Sequence, residues 1–214
     1  MPTVPPILAR ILEKPRADGE QLLESALSAF LDFGIKRTSM GEIARRAGIS
    51  PATLYRRFES KNDLVEAVGV REAQRFVAAI EERAARITGA QGGSEVSSVD
   101  QLVEIFASFT TLLARNELLQ RLLRTEPELI LPRLTVDGGP VLEVGRLYLA
   151  GKLRGLQQAD SSLRFDADLV AEVLARLAQS LMLTPDGLIP LRDESAAREF
   201  ARRTLLPMVG VRVA

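Results

Sequence analysis

Residues 38–63 read TSMGEIARRAGISPATLYRRFESKND and contain three signals for the start of a helix. Each signal gives the first free backbone N–H groups an oxygen acceptor or removes one of those groups. The signals are Ser39 with Glu42, Ser50 with Pro51, and Ser60 with Asp63. Gly48 lies between the first two, and glycine readily adopts the left-handed conformation that ends a helix. The stretch therefore predicts a helix, a tight turn, a second helix and the start of a third.

Apolar residues in this stretch recur at helical spacing, which predicts that the two short helices pack on each other. They are Met40, Ile43, Ala44 and Ala47 in the first helix, and Leu54 and Phe58 in the second. The second helix leaves small, hydroxyl-bearing and cationic side chains for water, namely Ala52, Thr53, Tyr55, Arg56 and Arg57. Such a surface suits the major groove of DNA, but it also fits any helical hairpin with a solvated, charged face.

The distribution of charge favours a DNA-binding surface. Residues 36–61 hold seven cations and two anions, whereas the whole chain has a formal net charge of zero. Any affinity for nucleic acid must therefore come from a local patch and not from a global field.

Residues 21–68 resemble the N-terminal domain of the tetracycline-repressor (TetR) family of bacterial one-component regulators. Two dense motifs carry the resemblance, T-S-x-x-x-I-A-x-x-A-G-I-S from Thr38 and T-L-Y-x-x-F-x-S-K from Thr53. Arg57 departs from the pattern, because the family frequently has another aromatic residue there. The resemblance implies an all-α fold in which a three-helix DNA-binding head precedes a helical domain for ligand binding and dimerisation.

The composition limits the chemistry. The chain has 214 residues, 46% of them apolar and 26% charged, which is ordinary for a globular protein. It has neither cysteine, which rules out disulfides, nor histidine, the commonest metal ligand and general base. No apolar run reaches the roughly 18 residues of a membrane helix. We expect a cytoplasmic protein with no cofactor, metal or enzymatic activity.

The chain in order predicts three parts: an arm over residues 1–17, a DNA-binding domain over 18–66, and a ligand-binding and dimerisation domain over 67–214. The proline-rich arm carries Arg10, Lys14 and Arg16, which could reach a minor groove or remain a solvated tail. Asp18 is the expected start of a support helix that ends at Gly34. A long helix from Ser60 to about Arg86 is long enough to belong to both domains.

The remainder predicts helices near residues 98–115, 116–125, 127–134, 139–158, 166–183 and 193–211, with prolines near their ends. The last two carry more apolar surface than one core can cover, so they predict either a central position in a monomer or a four-helix dimer interface. The resemblance favours the homodimer. The interface residues expected are Leu169, Val170, Val173, Leu174, Leu177, Leu181, Phe200, Ala201, Thr204, Leu205 and Met208.

Three functions fit these patterns. The first is a repressor that binds double-stranded operator DNA and is released by a small effector. The second is an all-α enzyme, for which we find no motif, and di-metal helical oxidases would need histidines. The third is a helical adaptor for another protein with a degenerate DNA-binding head, which the intact helix-start signals and the cationic patch disfavour.

The residues expected at DNA are Thr38, Ser39, Arg46, Ser50, Pro51, Ala52, Thr53, Tyr55, Arg56 and Lys61. Recognition is expected to centre on Thr53, Tyr55 and Arg56, while residues at helix starts position the domain on phosphates. In the resembling family, the matching threonine or serine, tyrosine and lysine commonly make these contacts.

The effector pocket is expected among the C-terminal helices, although apolar residues of this kind are more often plain core than pocket wall. The candidates are Phe106, Phe109, Leu113, Leu122, Leu134, Tyr148 and Leu177. Their apolar character favours an apolar or amphipathic effector. By shifting the long helix, the effector would change the distance between the two recognition helices of a dimer, which must match about one DNA turn, ~34–36 Å or a multiple of it.

Overall fold

The computed structural model describes residues 11, 19–90, 97–208 and 210, and every regular element in these ranges is helical. The predicted arm over residues 1–17, apart from residue 11, lies outside the described residues, as does the expected helix start at Asp18. The first four helices are α1 (Glu20–Phe33), α2 (Met40–Arg46), α3 (Pro51–Arg57) and α4 (Lys61–Ala90).

The helices that follow α4 are α5 (Ser98–Ala114), α6 (Glu117–Thr125), α7 (Pro127–Leu134), α8 (Gly139–Ala159), α9 (Ala167–Leu183) and α10 (Glu194–Phe200). The chain then continues through a π-helical turn, Ala201–Leu205, into the short α11, Leu206–Met208. The last helix was expected to be regular over 193–211. Pro207 gives the π turn a local cause, because a proline ring crowds the carbonyl four residues earlier, here that of Arg203.

The chain forms two compact units, and each unit is built from two separate segments of the sequence. The first unit comprises Met1–Val77 and Glu117–Leu131, and the second comprises Ala78–Asn116 and Pro132–Ala214. Helix α4 thus contributes residues to both units. The first unit extends to Val77, whereas the predicted boundary between the domains follows residue 66. Compactness does not test function, so the functional boundary stays a prediction.

The core of the first unit is built from α1 to α4 together with α6 and α7. Phe30, Ile43, Leu54 and Leu64 are at most 1% exposed, and Leu122 of α6 joins them at 8%. Burial of large apolar side chains is the main favourable contribution to folding, so these contacts define the unit. Leu122, a predicted wall of the effector pocket, therefore packs in the core of the first unit, and its role in effector binding stays a prediction.

The core of the second unit lies among α5, α8, α9 and the last helical run. Gly145 of α8 faces Ala175 of α9, and a Cβ added at Gly145 would lie 3.7 Å from that of Ala175, at ordinary contact distance. An ion pair joins α5 to α10, since the half-exposed Arg198 donates to both carboxylate oxygens of the buried Glu104 at 2.7 and 3.1 Å. Glu104 also accepts from Ser108. This network satisfies a carboxylate that is only 4% exposed.

Candidate functional site

Helices α2 and α3 form a capped helical hairpin. The Ser39 hydroxyl accepts from the backbone N–H of Glu42, and the Ser50 hydroxyl accepts from that of Thr53, each at 3.1 Å. Between them Gly48 has φ +68°, a left-handed conformation that costs glycine no steric strain. These local interactions fix the start of both helices and the angle between them, as in a helix-turn-helix.

Helix α3 has one buried and one exposed side. Leu54 is fully buried in the core of the first unit, which turns the opposite face toward water. Tyr55 is 53% exposed. The other exposed members of the predicted DNA-binding set at this helix are Ser50, Pro51, Ala52 and Arg56, with Thr53 half-buried and its hydroxyl 3.0 Å from that of Ser50. The structure thus presents these residues together on a single convex face.

The start of α4 lies beside the turn that precedes α2. Ser60 and Asp63 bond reciprocally, so that the backbone N–H of each receives an acceptor from the side chain of the other. The Lys61 ammonium donates to the backbone carbonyl of Lys36 at 3.1 Å. Ser39, at the start of α2, is exposed. Two helix starts therefore offer N–H groups and a cation near one another, which suits phosphate binding.

The side chains of two predicted DNA contacts, Thr38 and Arg46, are bonded within the domain. Thr38 is 2% exposed, and its hydroxyl lies 2.6 Å from the carbonyl of Gly34, so this side chain stabilises the turn from inside the domain. Arg46 bonds the Ser28 hydroxyl and the Asp32 carboxylate and covers the ring of Phe33. Both side chains are used within the domain, because each has nearby acceptors that helical spacing alone does not reveal.

Glu126 was missed by the sequence analysis. Its carboxylate accepts from two successive backbone N–H groups, those of Ile35 and Lys36, at 2.7 Å each, and the residue is 7% exposed. Nearby, the exposed Glu128 pairs with the Lys36 ammonium. The connection between α6 and α7 therefore holds the turn that leads into the helix-turn-helix. No signal near Glu126 in the sequence points to a partner 90 residues earlier.

Arg71 forms a second cluster that was missed. Its side chain is 2% exposed and lies among the carboxylates of Glu20, Glu24 and Glu72. Hydrogen bonds from Arg71 lower the pKa of Glu20 and Glu24 below their ordinary value. A carboxyl group whose pKa is lowered by folding stabilises the folded state at pH values above its pKa in the unfolded chain. This stabilisation is lost as the pH falls through the pKa of the group in the folded protein. The two carboxylates are about half exposed, so solvent limits the gain.

Residues 22–68, which contain the capped hairpin, match the family model described as "Bacterial regulatory proteins, tetR family". These residues therefore form a DNA-binding domain of the TetR type. A relative from Mycobacterium bovis, named an uncharacterized HTH-type transcriptional regulator, is 27% identical over 186 residues, which are 86% of this chain and 91% of the relative. The protein is therefore a DNA-binding transcriptional regulator, as the motifs at Thr38 and Thr53 predicted.

Solved structures of TetR-like regulators share the fold. AlkX from Dietzia sp. strain DQ12-45-1b aligns with a TM-score of 0.59 at 22% identity, over 91% of this chain and 99% of that one. FadR from Bacillus subtilis, in complex with stearoyl-CoA, aligns with a TM-score of 0.52 at 16% identity, over 84% and 95%. These likenesses confirm the predicted all-α architecture with an N-terminal helix-turn-helix.

The second unit contains a small apolar cavity of about 60 Å³. Phe106 and Phe109 of α5 line it, together with Leu102, Ile105, Leu149, Lys152, Leu153, Val170, Leu174, Ala178, Leu181, Leu205 and Leu206. Four further predicted wall residues of this unit, Leu113, Leu134, Tyr148 and Leu177, are absent from this lining. Periodicity identified the apolar faces of these helices but not which faces meet.

The predicted dimer residues divide by exposure. Leu169, Val173, Thr204 and Met208 are exposed, and Leu174, Leu177 and Phe200 are half-buried. Val170, Leu181, Ala201 and Leu205 are at most 8% exposed within one subunit. The core of the subunit already covers these four side chains, and their place at the interface stays a prediction. Within the described ranges, no helix is long and apolar enough to cross a membrane.

Proposed function

We propose that the protein is a homodimeric repressor that binds operator DNA and is released by an apolar or amphipathic effector. The observation that carries the proposal is the presence of a capped helix-turn-helix in the first unit and of an apolar cavity in the second. An adaptor with a degenerate head would not need the exposed face of α3 or its intact caps. The functional division follows the predicted one, with DNA recognition in residues 18–66 and effector binding and dimerisation after them.

Recognition is assigned to Thr53, Tyr55 and Arg56, whose side chains read base edges, while Ser39 and Lys61 position the domain on phosphates. A gel shift with the intergenic DNA beside the protein's own gene tests this assignment. A complex that survives excess unrelated DNA of equal length supports a sequence-specific regulator. Equal competition by unrelated DNA favours the adaptor instead.

Lys61→Ala is expected to weaken DNA binding about equally on all sequences. A phosphate contact contributes no base readout, so its loss should reduce the slope of log K against log salt by ~1 unit. The comparison uses fluorescence anisotropy on operator and unrelated duplexes between low and moderate salt. Lys36→Ala is the control, because Lys36 already pairs with Glu128 in the free protein. An unchanged slope for Lys61→Ala would contradict the assignment.

The proposed dimer uses the exposed apolar strip of α9. Leu169 is 65% and Val173 53% exposed, they are one helical turn apart, and Met208 is 77% exposed. Large apolar side chains in such a group are typical of an interface between subunits.

Leu169→Glu with Val173→Glu is expected to convert the dimer to a monomer in sedimentation equilibrium at micromolar concentration. Both side chains are exposed, so the subunit should keep its helical circular dichroism spectrum. Val136→Glu is a matched control, because Val136 is 86% exposed on another part of the same unit. A wild-type protein that sediments as a monomer would refute the dimer.

The proposed effector site is the cavity of the second unit. At about 60 Å³ it is far smaller than the ~300–1,000 Å³ of typical ligand pockets, so an effector must displace part of its wall. Binding and conformational change are then one event, in which the ligand selects an expanded state. The FadR structure in complex with stearoyl-CoA shows that a regulator of this fold has been crystallised with a long-chain amphipathic molecule.

We assign the coupling to α4, the 30-residue helix that contributes residues to both units; the 8-residue α7 is also divided between them. An effector that shifts α4 would change the separation of the two recognition helices in the dimer. By linkage, operator DNA must weaken effector binding by the same factor.

A further inference from the structure

Lys152 is the one charged side chain among the described residues that line the apolar cavity. Its ammonium lies 2.6 Å from one carboxylate oxygen of Glu81 and 5.8 Å from the ring centre of Tyr148. The Tyr148 hydroxyl donates to the other oxygen of Glu81 at 2.7 Å. One carboxylate is therefore held at two points, by a cation and a phenol, beside an apolar cavity.

The bonds that hold Glu81 are weak enough for another carboxylate to replace it. The Lys152 and Glu81 side chains are 37% and 41% exposed, and a partly solvated ion pair of this kind adds little to stability. Tyr148 stays a hydrogen-bond donor, because burial and its bond to Glu81 raise the pKa of the phenol well above its ordinary value. Both donors would remain in place for another carboxylate if Glu81 moved away.

We propose that the effector is an amphipathic carboxylate whose head group replaces Glu81 on Lys152 and Tyr148 while its apolar tail enters the cavity. The proposal rests on the proposed function and specifies its ligand. Glu81 serves as the template, since its two oxygens show that the donors are spaced for a carboxylate. A neutral alcohol forgoes the charge-assisted bond to Lys152, and a cation would meet the ammonium.

The exchange also supplies a cause for the movement of α4. Glu81 lies on α4, whereas Tyr148 and Lys152 lie on α8, so these two bonds tie the helices together within the second unit. A carboxylate that takes both donors breaks that tie. The ligand head group thus acts on α4 directly, while the tail expands the cavity.

The test compares three probes with the same ten-carbon tail: decanoate, 1-decanol and decyltrimethylammonium, each below its micelle concentration. Isothermal titration calorimetry on the full chain should show decanoate binding ~10-fold or more tightly than decanol, as expected for a charge-assisted hydrogen bond. Lys152→Met keeps an apolar side chain of similar length and should remove this preference without changing decanol binding. Arg154→Met is the control, because Arg154 is a cation on α8 outside the cavity lining.

Glu81→Gln provides the second measurement. Removing the competing carboxylate should tighten decanoate binding several-fold and leave decanol binding unchanged. In the Lys152→Met background the same change should have a smaller effect, because the contact with Lys152 is already lost and only Tyr148 remains for the head group. A structural role for Glu81 alone would instead weaken both probes together.

The outcomes distinguish a failure of the proposed head-group contact from a failure of the proposed effector site. Equal affinity for decanoate and decanol, unaffected by Lys152→Met, overturns the head-group inference and leaves the cavity as the effector site. Tightest binding of decyltrimethylammonium also overturns it, with Glu81 as the anchor instead. Absence of binding by all three probes contradicts the apolar effector site itself, and with it that part of the proposed function.

Discussion

Leu54→Ala is expected to unfold the first unit at urea concentrations that the wild type tolerates. Leu54 is fully buried and packs in one core with Phe30, Ile43 and Leu64, from three other helices. Truncating a buried leucine removes apolar contacts and leaves a cavity, at a cost of about 2–5 kcal/mol. That is a large fraction of the ~5–15 kcal/mol that stabilises a typical domain. Specific DNA binding should be lost with the fold.

Tyr55→Ala is the matched control, one residue further along the same helix. Tyr55 is 53% exposed, so its removal should leave stability nearly unchanged while weakening operator binding. Because the two units can unfold separately, the measurement must show which unit is destabilised. Hydrogen exchange on peptides from residues 38–68 reports on the first unit alone. Full protection of these peptides in Leu54→Ala would contradict the packing argument.

Helix positions could be predicted from the sequence because their signals are local. Ser39, Ser50 and Ser97 each stand directly before a helix and accept from the third backbone N–H beyond them. The α8 helix, Gly139–Ala159, begins at the predicted residue 139, with Pro140 in its first turn, and ends one residue beyond the expected 158. Glycine, proline and hydroxyl side chains act on their own backbone, so a reader of the chain needs no tertiary information.

The contacts between distant segments could not be predicted in the same way. Leu122 has the spacing of a core residue, but spacing does not tell which core, and it lies with the first unit instead of the cavity. Arg71 reads as an ordinary surface cation of a long helix, although it is buried among carboxylates of α1. Side chains find such partners only after the helices pack, so the information lies in the tertiary arrangement.

Glu126 is the strongest case of this kind, and its removal has the second large expected effect. Glu126→Ala would leave the buried backbone N–H of Ile35 without an acceptor and that of Lys36 partly so. An orphaned buried donor costs about 1–3 kcal/mol, and water can repair the second, part-buried one more easily. We therefore expect a loss of about 2–4 kcal/mol, measured by urea unfolding. Glu128→Ala is the control, because its pair with Lys36 is exposed and should contribute at most about 1 kcal/mol.

Gly34→Ala gives an independent route to the same contact. Gly34 has φ +86°, and an added Cβ would lie 3.0 Å from a Glu126 carboxylate oxygen, so the change strains the turn and pushes the acceptor away. Both variants should loosen residues 35–38, directly before Ser39, and weaken operator binding more than Glu128→Ala does. Glu126→Gln keeps the shape and one acceptor oxygen, so its loss of stability should be intermediate. If Glu126→Ala unfolds with the urea midpoint of the wild type, the carboxylate does not hold this turn, and the other contacts of α6 and α7 stabilise the first unit without it.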